Sequence, residues 1–383
     1  MHIETSLPTI AALLKSTGYP TASIGKLHLG YCSGKADFTK PLTPGPLDIG
    51  FDYLFAVPQN HGDASGVYVR NRQVVGLRSS QSVPAGKSPY GRDYIGLDAP
   101  QRVDENVMDE LTTDAIRWLE ESAREEPFFL YFAPVAIHFP YTPSDKTRGT
   151  SEIGLYGDWI HELDRSIGRI LDTLDQMNVT DDTLVIFTSD NGGVLMTEGQ
   201  RPEAEAFRAG LRPNGHWRGR KHSIYEGGFR VPFLVRWPGR VEPGTVCDET
   251  LNLVDMYATL ATLIDQPVSS KEAVAEDSFN VLPAILGKSH QEPLRPSMIV
   301  HSPNGNFAIR RGSWKYIEGI PSPTIKKPPQ RNELHAQLYN LQDDPGEQRN
   351  VINEHPDIVR RLATLLEKQR IVGRSLEGIA STR

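Results

Sequence analysis

The sequence predicts an α/β protein with a mostly parallel central sheet covered on both faces, followed by a small C-terminal α+β unit built on an antiparallel sheet. Three observations carry this. Continuous apolar runs, PFFLYFAP (127–134), TLVIFTSD (183–190) and VPFLVRWPG (231–239), have the character of strands buried on both faces. They alternate with amphipathic helices, which implies parallel strands joined by helical crossovers. After about residue 293 the pattern changes to successive strands and one closing helix. The expected domains are therefore 1–293 and 294–383.

The elements follow in order. Leu7 to Lys15 reads as a helix with Ile10, Leu13 and Leu14 on one face, stopped by Gly18 and Pro20. TASIG (21–25) is a short strand. Residues 31–50 are rich in Gly and Pro and read as loop. Residues 60–100 are polar and irregular, with one hairpin in VYVRNRQVVGL turning at Asn71 and Arg72. Thr113 caps an expected helix carrying Ile116, Trp118 and Leu119. The long helix over 155–177 places Ile160, Leu163, Ile167, Ile170, Leu171 and Leu174 at spacings of three and four. Leu251 to Ile264 is a further helix. FAIRRGSWKYIEG (307–319) suggests a hairpin turning near Gly312, AQLYNL (336–341) a strand, and residues 355–369 the final amphipathic helix.

Composition narrows the function. The chain has 383 residues, 38% hydrophobic and 23% charged, with a net charge of -7. Mild acidity argues against a nucleic-acid partner, and no apolar stretch approaches the roughly 20 residues that span a bilayer. Residues 1–20 lack the basic start and apolar core of a signal peptide, so localisation is left open, as is the oligomeric state. Cys32 and Cys247 make no disulfide framework and have no CxxC spacing.

Four segments carry candidate chemistry. Asp190-Asn191-Gly192-Gly193 follows an apolar strand directly, and ligands in parallel sheets bind at strand carboxyl ends. Carboxylate and amide oxygens suit calcium or magnesium. Lys26 and His28, two apart in extended chain, point to one side and pair a fixed cation with a titratable imidazole. His138 follows the PFFLYFAP strand and is suited to protonating a leaving oxygen. Lys221 sits with Arg218, Arg220 and His222 in a Gly-flanked loop, where cations stabilise developing negative charge. Each segment also has a plainer reading as turn or solvated loop. Together they suit hydrolysis of an anionic ester around a hard cation, provided they meet at one rim of a single sheet.

With these segments quoted, the sequence resembles the sulfatase family of the alkaline phosphatase superfamily. GYPTASIGKLHLG (18–30), PLDIGFDYLF (46–55), PFFLYFAPVAIHFPYTP (127–143), DTLVIFTSDNGG (182–193), YEGGFRVPFLVRWPG (225–239) and LYNLQDDPGEQRNV (338–351) look like that family's successive blocks, in its order, over nearly the whole chain. The resemblance implies the family's three-layer sandwich. It also implies site roles. Lys26 and His28 contact the modified nucleophile and the sulfate, with Leu27 where the family often has tryptophan. His138 helps protonate the leaving alcohol. Asp190 and Asn191 bind one calcium ion. Lys221 contacts the sulfate, and Asn60, with His61 as alternate, faces the substrate.

The sequence departs from the family in one respect. The resemblance implies an apolar strand ending in Asp-Asp, which adds calcium ligands, and a Cys-x-Pro-Ser-Arg block whose first residue becomes the formylglycine nucleophile. Neither block occurs here: Cys32 stands in CSGKA, and Ser82 in SVPAG lacks the arginine. The expectation is a mis-assigned or truncated start, and a chain that binds a sulfate ester without cleaving it. Two alternatives stand beside this reading. One is a phosphodiester or phosphonate hydrolase on the same fold. The other is a non-catalytic remnant that binds sulfated glycans.

Overall fold

The computed structural model describes residues 1–88, 91–122, 126–266, 268, 274–288, 290–319 and 335–376. The chain forms two compact units, Met1–Asp181 and Asp182–Arg383.

In the first unit, α1 (Ile10–Ser16) starts three residues later than its apolar pattern suggests, because the Thr9 side chain accepts from the Ala12 amide and caps it there. β1 (Thr21–Lys26) runs parallel to both β2 (Tyr53–Val57) and a later strand. Thr21 through Gly25 are all buried, as a strand covered on both faces requires. β3 (Val69–Arg70) and β4 (Gln73–Val74) form the expected hairpin, and Asn71 takes the left-handed conformation its turn needs, with φ 54°. β5 (Ser79–Ser82) and β6 (Leu97–Asp98) make a separate antiparallel pair. α2 spans Val107–Ser122, so Thr113 lies inside the helix and does not cap it. Buried Val107, Met108 and Leu111 carry the apolar face a full turn further back than Ile116 and Leu119 suggested.

β7 (Phe129–Ala133) closes the five-stranded sheet in the order β4-β3-β2-β1-β7. The sequence suggested a strand buried on both faces. Instead its residues are partly buried, and Tyr131 is 51% exposed. Only β1 pairs with it among the described residues, so it has the exposure of an edge. α3 (Leu155–Gln176) has the expected length, yet its fully buried side chains are Trp159, Glu162 and Ser166, and of the expected stripe Leu174 is the buried member. The Ile/Leu stripe is largely half-covered.

In the second unit, β8 (Val185–Thr188) pairs antiparallel with β9 (Phe233–Arg236), whereas helix–strand alternation suggested parallel strands. α4 (Pro202–Arg208) and the single-turn α5 (Glu226–Phe229) lie between them. α6 (Met256–Leu263) and α7 (Leu282–Ile285) follow. β10 (Met298–His301), β11 (Phe307–Arg311), β12 (Trp314–Ile317) and β13 (Gln337–Asn340) form the antiparallel C-terminal sheet in sequential order, with Gly312 at φ 58° in its hairpin turn. α8 (Pro356–Val372) covers one face through Leu362 and Leu366 against Ile309, Tyr316 and Leu338. The alternating residues Ala308, Ile317 and Tyr339 pack against Ile224 and Tyr225. The C-terminal sheet thus supports the loop that carries Lys221. No helix of the described residues is long and apolar enough to cross a membrane.

Candidate active site

β1, β2 and β7 are neighbours and parallel, so their carboxyl ends lie at one edge of the first unit's sheet. That edge carries five of the candidate residues. Lys26 is the last residue of β1 and half-buried, and His28 is exposed just beyond it. Between them Leu27 is buried and its amide donates to the Val57 carbonyl at 3.1 Å. Gly25 is demanded by the packing: at φ +131°, a β-carbon there would lie 1.9 Å from the Ala133 carbonyl oxygen on β7.

Asn60 and His61 follow β2. Asn60 is half-buried, and its carbonyl accepts from the Asp63 amide at 3.0 Å. His61 has no exposed surface. Its Nε2 lies 2.8 Å from the Thr142 hydroxyl, and its ring stacks near Trp159 with centroids 6.1 Å apart. Burial, then the charges of Arg102 and His138, push its pKa down to about 3, so the imidazole is neutral near pH 7. Of this pair, Asn60 is half-buried and His61 fully buried. His138 follows β7; its Nδ1 donates to the Phe139 carbonyl at 2.6 Å, since a carbonyl only accepts. The Trp159 indole donates to the His138 carbonyl at 3.1 Å. One aromatic residue therefore ties the two histidines together.

Behind them lies a buried charged group that sequence reading missed. Arg102 donates to the Val67 carbonyl at 2.7 Å and sits 3.4 Å from the Asp63 carboxylate. Its Nε and the His61 Nδ1 are each 3.7 Å from one oxygen of Asp104. Burial raises the Asp104 pKa. These residues stand in polar, irregular sequence where nothing in spacing marks them.

In the second unit, β8 ends at Thr188 and delivers exposed Asp190 and half-buried Asn191 just past its end. The Asn191 side-chain amide donates to the Gly192 carbonyl at 3.0 Å, which orients the amide and leaves its Oδ1 as the oxygen available to a cation. Gly192 is needed because the 225–228 turn packs directly on it, and Gly193 because a β-carbon there would lie 2.8 Å from the Pro213 side chain. A β-carbon on Gly192 would lie 1.9 Å from the Gly227 carbonyl oxygen, and the Gly192 amide donates to the Gly228 carbonyl at 3.0 Å. Buried Asn214, another residue no motif signals, accepts from the Gly193 amide at 2.7 Å and donates to the carbonyls of Gly193 and Gly219 at 3.1 Å. The Lys221 amide donates to the Gly193 carbonyl at 3.0 Å. Lys221 and the Asp190-Asn191 pair are thus held on adjoining backbone. Next to Lys221, His222 takes the left-handed region at φ 77°, uncommon for a residue with a β-carbon.

The basic residues at 218–222 divide by their partners. Arg218 donates to the Glu347 carbonyl at 2.7 Å and lies 3.8 Å over the Tyr225 ring. Arg220 donates to the Leu195 carbonyl at 3.1 Å. Both serve the loop's own structure, which leaves Lys221 as the loop's main candidate for an anion. Among the described residues, no group of three or more His, Cys, Asp or Glu side chains is gathered as a metal centre. Asp190 and Asn191 fit a hard cation in donor type, as two of the six to eight oxygens calcium takes.

An α/β sheet with strand-end polar residues and a separate antiparallel C-terminal sheet defines a class, and the comparisons agree. The family described as Sulfatase matches residues 2–266, and that described as N-sulphoglucosamine sulphohydrolase, C-terminal, matches residues 215–371. The chain belongs to the sulfatase family, whose curated members are sulfuric ester hydrolases. It is similar to an N-acetylgalactosamine-6-O-sulfatase of Bacteroides thetaiotaomicron, 37% identical over 95% of this chain and 77% of that protein. It is similar also to the N-acetylgalactosamine-6-sulfatase of Homo sapiens, 32% identical over 90% of this chain. The chain spans 64% of the human protein's length. A solved Bacteroides thetaiotaomicron structure, described under the metabolism of multiple glycosaminoglycans, superimposes with a TM-score of 0.87 at 35% identity, covering 97% of this chain and 83% of its own.

Proposed function

We propose that this chain supplies the sulfate-holding and leaving-group side of a sulfatase acting on a sulfated amino sugar of the N-acetylgalactosamine 6-sulfate type. Lys221, Lys26 and His28 hold the sulfate oxygens by charge and hydrogen bonds. His138, its Nδ1 committed to a carbonyl, uses Nε2 to protonate the departing sugar oxygen. Asn60 contacts the sugar, and His61 supports it. Asp190 and Asn191 are two ligands of a calcium ion, which supplies charge neutralisation at the ester when bound. Formylglycine supplies the family's nucleophile. This sequence holds no Cys-x-Pro-Ser-Arg block, so the chain by itself binds the ester without cleaving it.

The observation that carries the proposal is the hydrogen bond from the Lys221 amide to Gly193, which fixes a lysine beside two hard-oxygen donors. The substrate class rests on the relatives' activities. Titration calorimetry with N-acetylgalactosamine 6-sulfate in excess calcium tests it. Lys221→Ala is expected to weaken binding by about tenfold; equal affinity in both proteins would overturn the assignment.

A further inference from the structure

Outside the candidate active site, the first unit has a cleft of about 590 Å³ between α2 and α3. Asp109, Thr113 and Arg117 recur every four residues on α2, and Arg165 and Arg169 do so on α3, so each helix turns one polar stripe to the cleft. Arg70 and Lys146 complete five cations, lined up with three carboxylates, Asp109, Glu110 and Asp114.

The pairing is lopsided. Asp109 alone receives Lys146 at 2.7 Å, Arg165 at 2.6 Å and Arg169 at 3.0 Å. Asp114 receives Arg70 at 3.0 Å, Arg117 at 2.9 Å and the Tyr53 hydroxyl at 2.6 Å. Burial raises the pKa of Glu110, which stands as the third carboxylate of the lining. Glu121 and Glu162 touch Arg117 and Arg165 from outside the lining. Several donors have no acceptor among the described residues: the Arg165 Nε and Nη2, and two of the three Lys146 hydrogens. Guanidinium groups from two helices, with spare donors among the lining of an open cleft, match oxyanions such as sulfate and carboxylate, whose paired oxygens can accept two parallel N–H bonds. The lining itself holds five cations against three carboxylates, and the two further carboxylates, Glu121 and Glu162, stand outside it.

We propose that the α2–α3 cleft is a second anion-binding site, which holds a sulfate or uronate group of a polymeric sulfated glycan away from the reacting sugar. The proposal rests on the sulfated-glycan reading above. In it, an incoming sulfate competes with Asp109 and Asp114 for the cations that now converge on them.

That competition gives the test. Binding of a chondroitin sulfate hexasaccharide and of the monosaccharide N-acetylgalactosamine 6-sulfate is measured for the wild type and three variants, with thermal midpoints checked for each. Lys146→Gln is expected to weaken hexasaccharide binding by about fivefold and leave the monosaccharide unchanged. Asp109→Asn, which keeps the shape and removes the competing charge, is expected to tighten the hexasaccharide several-fold. A purely structural ion-pair network predicts the reverse: Asp109→Asn lowers the midpoint and gains no affinity. Unchanged hexasaccharide affinity in Lys146→Gln, or equal affinity for a DNA duplex of the same charge, overturns the cleft proposal. If Lys221→Ala leaves monosaccharide binding intact while the cleft variants respond as stated, the active-site reading fails and the cleft stands.

Discussion

Lys315 on β12 places its ammonium 2.9 Å from the Glu226 carboxylate, with 1% and 5% of the two side chains exposed. Glu226 begins the short turn that packs on Gly192, so the C-terminal sheet reaches the candidate active-site loop through a buried charge. Glu347 lies 2.9 Å from the same ammonium and accepts from the Glu226 amide at 2.7 Å. Removing one member of such a group leaves a buried uncompensated charge. Lys315→Met is therefore expected to cost about 3–5 kcal/mol in a urea titration. Adding Glu226→Gln to it should recover part of that loss. A neutral single variant would show that the cluster does not hold the loop.

The same cluster sets an acid limit on stability. Against the burial that raises it, Lys315 and then Arg230 hold the Glu226 carboxyl down to about 2, from an ordinary 4.5. A depressed carboxyl gives stability that is present above its unfolded value and lost as pH falls through the folded one. The Glu226 contribution should therefore be full above pH 4.5 and fade toward pH 2. Burial pushes Glu347 upward instead, so this loss belongs to Glu226. Thermal midpoints of wild type and Glu226→Gln, compared across that range, should converge at the acid end.

His61 adds a second acid dependence at higher pH. Its folded pKa is depressed to about 3 from 6.5, so the unfolded chain binds its proton first and stability falls as pH drops from 6.5 toward 3. Its ring signals in NMR should hold the neutral form throughout that window. A midpoint near 6 would show that the ring reaches solvent.

Gly25→Ala is expected to destabilise the protein by about 3 kcal/mol or more, because the new methyl meets the Ala133 carbonyl and strains the backbone together. Gly18→Ala is the control. Gly18 also has positive φ, at +92°, but faces open space, so only the backbone term of about 1–2 kcal/mol applies. Equal losses in chemical denaturation would rule out the β1–β7 contact as the cause.

Assayed with an aryl sulfate in excess calcium, the 383-residue chain should show no turnover above background, since no formylglycine block stands in its sequence. Turnover well above background would mean that another group acts as nucleophile.

Local chemistry made much of this protein legible. Alternating apolar runs and helical stripes gave the α/β class, the Asn71 and Gly312 turns and the C-terminal sheet, because period and turn preference are properties of a few adjacent residues. Lys26, His28, His138, Asp190, Asn191 and Lys221 stood out for the same reason: each follows a strand or sits in a glycine-marked loop. Tertiary structure alone decided matters that depend on neighbours distant in sequence. It left β7 and the α3 stripe half-covered, set β9 antiparallel to β8, and moved the start of α2 back past Thr113. It buried His61 beside the Arg102–Asp104 group, and turned Arg218 and Arg220 to backbone carbonyls. It also gathered Lys315, Glu226 and Glu347, and faced two polar helix stripes across one cleft. Charge and burial are set by everything within a few ångströms, and a linear sequence does not say what that will be.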